Sequence, residues 1–371
     1  MKHYLFTLAL VAASAMMALA QPFVPTNSAT PKIQFPDIPG FHTLVADLHT
    51  HSVFSDGSVW PTVRVEEALA EGLDVISMTD HVEYHPFKKY IPEDNLASTE
   101  LILNAAKNKP LIVIPGGEIS ATPDHFNALF IHNQNDTVLK NKVPAIRIKA
   151  AKDQGGFVFW NHPGWTSRAK DGNAPVDEGF YQLMEQGQIN GIEICNGDEF
   201  WPETLVLAKK YNLTLLGNSD IHGVSHYAYT PDRHRTVTLL FAKEKTAESV
   251  REALENQRTI VYCGNYLVGT PDLLTQLLTA CLQVESTYRQ GTTLAILKIT
   301  NQSDLDIRGR NTGQLNFHNS AYTFLLPAHA TTTLMVRTNQ PVTSFNLEFV
   351  AENLITGPRE SLQVSLPVVI N

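Results

Sequence analysis

Two pairs of ligand-type residues, each spaced i, i+2, constrain this chain more than any other feature. His49 and His51 lie in Asp47-Leu48-His49-Thr50-His51-Ser52-Val53-Phe54-Ser55-Asp56-Gly57. Asp220 and His222 lie in Asn218-Ser219-Asp220-Ile221-His222-Gly223. On an extended strand, positions i and i+2 face the same way, so each pair presents two metal-grade side chains in one direction. Between the pairs come Thr79-Asp80-His81, Gly116-Gly117-Glu118, His125 and Asn161-His162-Pro163. With Asp56 these make nine candidate ligands of His, Asp and Glu type. One ion does not need so many, and neutral imidazole with carboxylate oxygen suits Zn, Mn and Fe. The pattern points to a multinuclear hydrolytic metal site.

The segments around these residues alternate in type. Strand-like runs cover Thr43–Thr50, Asp74–Thr79, Leu111–Gly116, Phe126–Ile131, Gly156–Trp160, Gly191–Cys195 and Thr214–Gly217. Helical stretches fall between most of them. Val65, Ala68 and Leu69 form an apolar stripe, with Pro61 suited to a first helical position. Thr246 reads as the N-cap of a helix over Ala247–Asn256. Strand–helix alternation of this kind specifies an α/β sheet or barrel. His81, Glu118, His162, Asp220 and His222 all follow the C-terminal ends of strands, where βα loops of a barrel converge on an active site. Only six residues, Ile119 to Asp124, separate Glu118 from His125, too few for a crossover helix. A hairpin there favours His125 over His132 as a ligand.

The motifs, in this order, resemble the PHP family, the polymerase and histidinol phosphatase superfamily of metal-dependent phosphoesterases. The resemblance covers roughly residues 41 to 270. It implies a distorted seven-stranded β/α barrel and two to three divalent transition-metal ions. It also implies a ligand set for each ion. His49, His51, Glu118 and Asp220 would hold the first, with Glu118 as a bridge. Glu118, His125 and His162 would hold the second, and Asp56, His81 and His222 the third. Many relatives carry His where Asp56 stands. Asp220, His222 and Glu118 are then the catalytic candidates, and Asp47, Asp80 and Asn161 adjoin ligands as candidate supports. Arg168, Arg235 and Arg258 are candidate phosphate contacts, Arg235 foremost because it follows His222 closely.

The remaining sequence sets the organisation. Residues 1–20 read as a secretory signal, with a short apolar run and an Ala18-Leu19-Ala20 cleavage site. This predicts an exported, periplasmic or secreted protein without a membrane span. Residues 21–40 form a Pro-rich leader, and 41–285 the metal-dependent hydrolase domain, whose end, from 268, is a helical connector. Residues 286–371 show short β-type runs broken by Gly, Pro and Asn, which predicts an accessory β-sandwich. A chain of residues 21 to 285 is expected to keep its metals. Of the three cysteines, Cys263 and Cys281 are candidates to pair, and Cys195 reads as a buried thiol.

A net charge of −9 without a basic run argues against a nucleic-acid scaffold. The expected partner is a small phosphorylated substrate, attacked by water at a metal site. Two other readings stand beside this one. One is an amidohydrolase-like enzyme acting on a non-phosphate ester or carbamate. The other is a metal-bearing binding module without turnover.

Overall fold

The computed structural model describes residues 32–120, 124–167, 169–173, 178–230, 233–318 and 320–371. Arg168 and the expected signal segment lie outside them. The seven expected strands are present as β1 (His42–Asp47), β2 (Val75–Met78), β3 (Ile112–Ile119), β4 (Phe126–Leu129), β5 (Phe157–Trp160), β6 (Gly191–Asn196) and, after the short β7 (Glu199–Phe200), β8 (Thr214–Asn218). The helices between them are α1 (Pro61–Glu71), α2 (Asn95–Ala106), α3 (Pro144–Asp153), α4 (Glu178–Glu185) and α5 (Thr204–Tyr211). Pro61 opens α1, where its missing N–H costs nothing.

β1, β2 and β3 pair in parallel; β4 runs antiparallel to β3 and β5; β5, β6 and β8 are parallel again. The β3–β4 hairpin is the one demanded by the short Glu118–His125 spacing. At the C-terminal ends the first and last strands of this series meet. Leu48 N donates to Asn218 Oδ1 at 2.9 Å, and Ser219 N donates to Asp47 Oδ1 at 3.2 Å. The wall is completed by α6 (Ser225–Ala228), β9 (Val237–Ala242), α7 (Ala247–Glu255), β10 (Thr259–Cys263) and β11 (Tyr266–Gly269). β9 lies antiparallel on β1, β10 on β9 and β11 on β10. Thr246 caps α7 by accepting from Ser249 N.

α8 (Pro271–Cys281) leads directly into the all-β tail. One tail sheet holds β12 (Leu282–Tyr288), β13 (Leu294–Asn301), β15 (Asn316–Phe317) and β17 (Thr331–Arg337). The facing strands are β14 (Ile307–Asn311), β16 (Thr323–Leu326), β18 (Ser344–Gly357) and β19 (Glu360–Val369). The chain is thus a mixed α/β domain followed by a β-sandwich. The two parts share a sheet, because β18 pairs in parallel with β11 through Leu267↔Leu354 and Val268↔Ile355. They also share a core, in which Ile76, Phe241 and Leu267 belong to the same buried cluster as Leu297, Phe349 and Val364.

The cysteines pair differently from expectation. Cys195 and Cys263 form the disulfide, with Cα atoms 6.7 Å apart, and Cys281 is the buried free thiol. Cys195 ends the apolar part of β6 and Cys263 ends β10, strands that lie side by side across β8. Cys281 instead closes the inner face of α8.

Candidate metal centre

The site grows out of the strand ends. Beyond β1 and β8 the backbone stays extended: Thr50 bridges Ile221 in parallel, and His51 N donates to Ile221 O at 3.1 Å. Asp220 N donates to His49 O at 2.9 Å. The two i, i+2 pairs therefore lie beside one another. The Ser55-Asp56-Gly57 turn folds Asp56 back over His51. Gly57 is required there, since a Cβ would sit 2.7 Å from Ser52 N.

Glu118, at the end of β3, is buried at the centre of all this. Its Oε2 lies 3.3 Å from His49 Nε2, 3.1 Å from His51 Nε2 and 3.1 Å from His81 Nδ1. Its Oε1 lies 2.8 Å from His125 Nδ1 and 3.6 Å from His162 Nε2. Asp220 Oδ1 lies 3.1 Å from His49 Nε2 and 3.0 Å from His51 Nε2. Asp56 Oδ1 lies 3.2 Å from His222 Nε2 and 3.6 Å from His81 Nε2. The structure brings all nine expected ligands together. They fall into three overlapping groups: His49, His51 and Asp220; Glu118, His125 and His162; and Asp56, His81 and His222 with His51. His132 is exposed and belongs to none of them.

The donor set fits metal ions. His51 Nε2, Asp220 Oδ1 and Asp56 Oδ1 are buried without a hydrogen-bond partner of adequate geometry, although His51 Nε2 and Asp220 Oδ1 are only 3.0 Å apart. Orphaned buried groups of this kind are costly. Lone pairs that converge on shared space, rather than on one another, are what divalent ions require. Two ligands, His162 (φ 29°) and Asp220 (φ 52°), also sit in the left-handed backbone region that non-glycine residues seldom adopt. Such strain persists only where surrounding contacts enforce it.

Those contacts can be named. Glu193, buried in the apolar run of β6, accepts from His162 N at 2.7 Å and from Asn218 Nδ2 at 2.8 Å, and lies 3.0 Å from His49 Nδ1. This fixes the His49 tautomer so that Nε2 faces Glu118. Glu193 was not anticipated; its signal was a carboxylate in an otherwise apolar strand. Asp80 receives hydrogen bonds from Ser52 N and from the Ser52, Ser55 and Ser98 hydroxyls, and Ser55 Oγ lies 3.2 Å from His51 Nδ1. Asn161 Nδ2 donates to Glu118 Oε1 at 3.1 Å. Arg64, also unanticipated, spans both signatures by donating to His51 O and Ile221 O, each at 3.0 Å.

Arg235 is not a substrate contact. Its guanidinium is buried, with Nε 2.7 Å from Glu71 Oε2 and NH1 2.9 Å from Asp47 Oδ2. Two carboxylates neutralise it behind the ligands. Asp47 in turn accepts from Ser219 N and Ser219 Oγ, which fixes the turn that holds Asp220. We expect Arg235→Met to cost about 3–5 kcal/mol, because it leaves two buried carboxylates unpaired. Arg235→Lys should cost less but still loosen Asp220, since an ammonium cannot reproduce the guanidinium fork. Denaturant unfolding and metal titration of the two variants read both effects.

The charges of the ligand set are strongly coupled. Burial lowers the affinity of His51 for a proton, but the Asp220 and Glu118 carboxylates outweigh it and raise its pKa to about 10. His49 is likewise driven up by Asp220, Glu193 and Glu118 against the effect of burial. Burial alone would raise the Glu118 carboxyl, yet His81, His49 and the hydrogen bonds of His125 and His162 hold it well below the usual carboxylate range. Without ions, protons on the imidazoles therefore balance the carboxylates. His51 contributes this stability in full below its ordinary pKa of about 6.5, and the contribution is lost as pH rises towards about 10. Ions need the neutral ring, so loading at neutral pH should release protons and weaken on acidification. Calorimetry in two buffers of different ionisation enthalpy should show that release. Melting of chelator-treated protein should fall between pH 7 and 10, and restored metal should shrink the fall.

Comparison with known proteins agrees with this architecture. The PHP domain model matches residues 47–235, and an Ig-like domain model matches residues 282–367. A solved two-domain protein of Bacteroides vulgatus, containing a predicted PHP-like metal-dependent phosphoesterase, is 36% identical. The match covers 91% of this chain and 98% of that one, with a TM-score of 0.84. An uncharacterized protein of Methanocaldococcus jannaschii is 25% identical over 187 residues, 47% of this chain and 80% of its own. The nine converging candidate ligands, the match over residues 47–235 and the near-complete likeness to the Bacteroides protein have one reading: this chain belongs to the PHP domain family of metal-dependent phosphoesterases.

Proposed function

We propose that the protein hydrolyses a small phosphomonoester or phosphodiester, using two to three divalent ions (Zn, Mn or Fe) and water, after export and cleavage behind Ala20. The observation that carries this reading is Glu118, whose two oxygens face different ligand groups. A carboxylate so placed can bridge two ions. His49, His51 and Asp220 would hold one, His125 and His162 another, and Asp56, His81 and His222 a third. Such ions acidify water and neutralise charge developing on phosphoryl oxygens.

The chain's own groups divide the remaining work. The ligand set opens to solvent along a row from His222 and Asp56 to His125, whose side chains are 40%, 27% and 28% exposed, while His49 and His51 are sealed. Substrate therefore enters across this open row, between His222 and His125. His222 Nδ1 donates to Asp220 O at 2.8 Å, which leaves Nε2 for the ion or for a proton at the leaving oxygen. Glu193, Asp80 and Asn161 keep the imidazoles and Glu118 oriented and need not touch the substrate.

The test is a screen of protein stripped and reloaded with Mn, Zn or Fe against panels of phosphomonoesters and phosphodiesters. Metal-dependent turnover of one panel supports the proposal. Full metal occupancy with no turnover of any phosphoester refutes it.

A further inference from the structure

We infer that Trp165 is a stacking platform beside the metal centre, so that the phosphoester accepted there carries a planar ring, as a nucleoside phosphate does. This rests on the phosphoesterase reading and specifies its substrate class. The Trp165 ring lies 5.4 Å from the ring of His162 and 6.5 Å from that of His125, centroid to centroid. Both imidazoles face Glu118 Oε1. Trp165 is nevertheless 43% exposed, so packing against its neighbours leaves much of its surface open. Isolated surface aromatics are ordinary. A half-open indole in contact with two members of a ligand set is placed where a bound phosphoester must pass.

The turn that carries the indole is also held in place. Trp165 N donates to His162 O at 2.9 Å, and Ala169 N donates to Trp165 O at 2.7 Å. Ahead of it, Gly164 packs so closely on buried Trp201 that a Cβ would sit 2.4 Å from the Trp201 ring. Thr166 Oγ1 donates to Glu199 Oε1 at 3.2 Å. The turn His162-Pro163-Gly164-Trp165 thus positions a ligand and an open aromatic ring with the same set of bonds. An indole carried on a fixed turn stacks on a planar ring at a small cost in conformational freedom. Tyr84 repeats the arrangement at the other end of the imidazole row, 52% exposed with its ring 5.9 Å from His81. Among the described residues no backbone hydrogen bond anchors Tyr84 as His162 and Ala169 anchor Trp165, so Trp165 is the stronger platform.

The test compares adenosine 5′-monophosphate with ribose 5-phosphate on the metal-loaded full chain. The two esters share a leaving alcohol and differ in the base. Loss of base–aromatic stacking changes affinity by about five- to a hundredfold. The expected result is a KM for the nucleotide lower by about tenfold, with similar kcat. Trp165→Ala should abolish the difference by raising the KM of the nucleotide about tenfold more than that of ribose 5-phosphate, and Trp165→Phe should restore part of it. Binding of the nucleotide should also quench indole fluorescence, and Trp165→Phe should remove that quench. Equal KM values for the two esters, or a preference that survives Trp165→Ala, overturns the inference. If neither ester is turned over, the fluorescence arm still decides stacking, and the failed turnover counts against phosphoester hydrolysis instead.

Discussion

Replacing Glu118 with Gln should release at least one metal ion and bring turnover below detection. The substitution keeps size and one hydrogen-bonding oxygen but removes the charge. Five imidazoles, those of His49, His51, His81, His125 and His162, lie within 3.6 Å of this one carboxylate. An amide has a single acceptor oxygen, so it cannot serve two ligand groups at once. Loss of a partner that merely orients a ligand costs about 10–100-fold in affinity or activity, and loss of a bridge should exceed that. Elemental analysis with steady-state kinetics reads both parts. His125→Ala should lose one ion's share of metal, whereas His132→Ala should lose none, because His132 is exposed and outside the ligand groups. A Glu118→Gln protein with full metal content and full activity would end the bridging assignment.

What could be read from the sequence follows physical lines. Strands that deliver ligands were legible because apolar runs of four to eight residues end in ligand motifs; the observed β2 and β5 fall inside those runs, and β8 runs one residue past its run, to Asn218. The α1 and α7 starts were legible because Pro61 and Thr246 supply start signals that act locally. β10 and β11 were not, since every residue of β10 is buried and a strand covered on both faces shows no alternation. The Cys195–Cys263 pair depends on β6 and β10 coming together across β8, which no local signal encodes. Ligands were legible as residue types in order. Their supports were less so: Arg235 looked like a phosphate contact because it follows His222 closely, but its partners, Glu71 and Asp47, come from the other end of the domain. A buried guanidinium and a surface one look alike in sequence.

A chain ending at residue 285 should lose cooperative folding or become insoluble, in contrast to the simple picture of a barrel with an appended sandwich. All nine ligands lie between His49 and His222, so the tail supplies none of them. Its contribution is structural. β18 covers the edge of β11, and Asn353 Nδ2 donates to Asn265 O at 2.8 Å across the junction. α8 packs on β19, with Leu274, Leu277 and Leu278 buried in the core that the two parts share. Truncation would uncover this surface and leave an unpaired strand edge, a template for aggregation. Re-exposing a buried Leu, Val or Phe side chain costs about 1.5–3 kcal/mol. A half-dozen such residues therefore approach the whole stability of a typical domain, about 5–15 kcal/mol. Thermal melting, sedimentation and metal content of the truncated protein test this directly. A soluble, metal-loaded fragment that melts cooperatively near the full-length temperature would show that the shared core is a docking contact. Loss of folding would instead mean that the tail is part of the scaffold that holds the strand ends, and with them the ligands, in register.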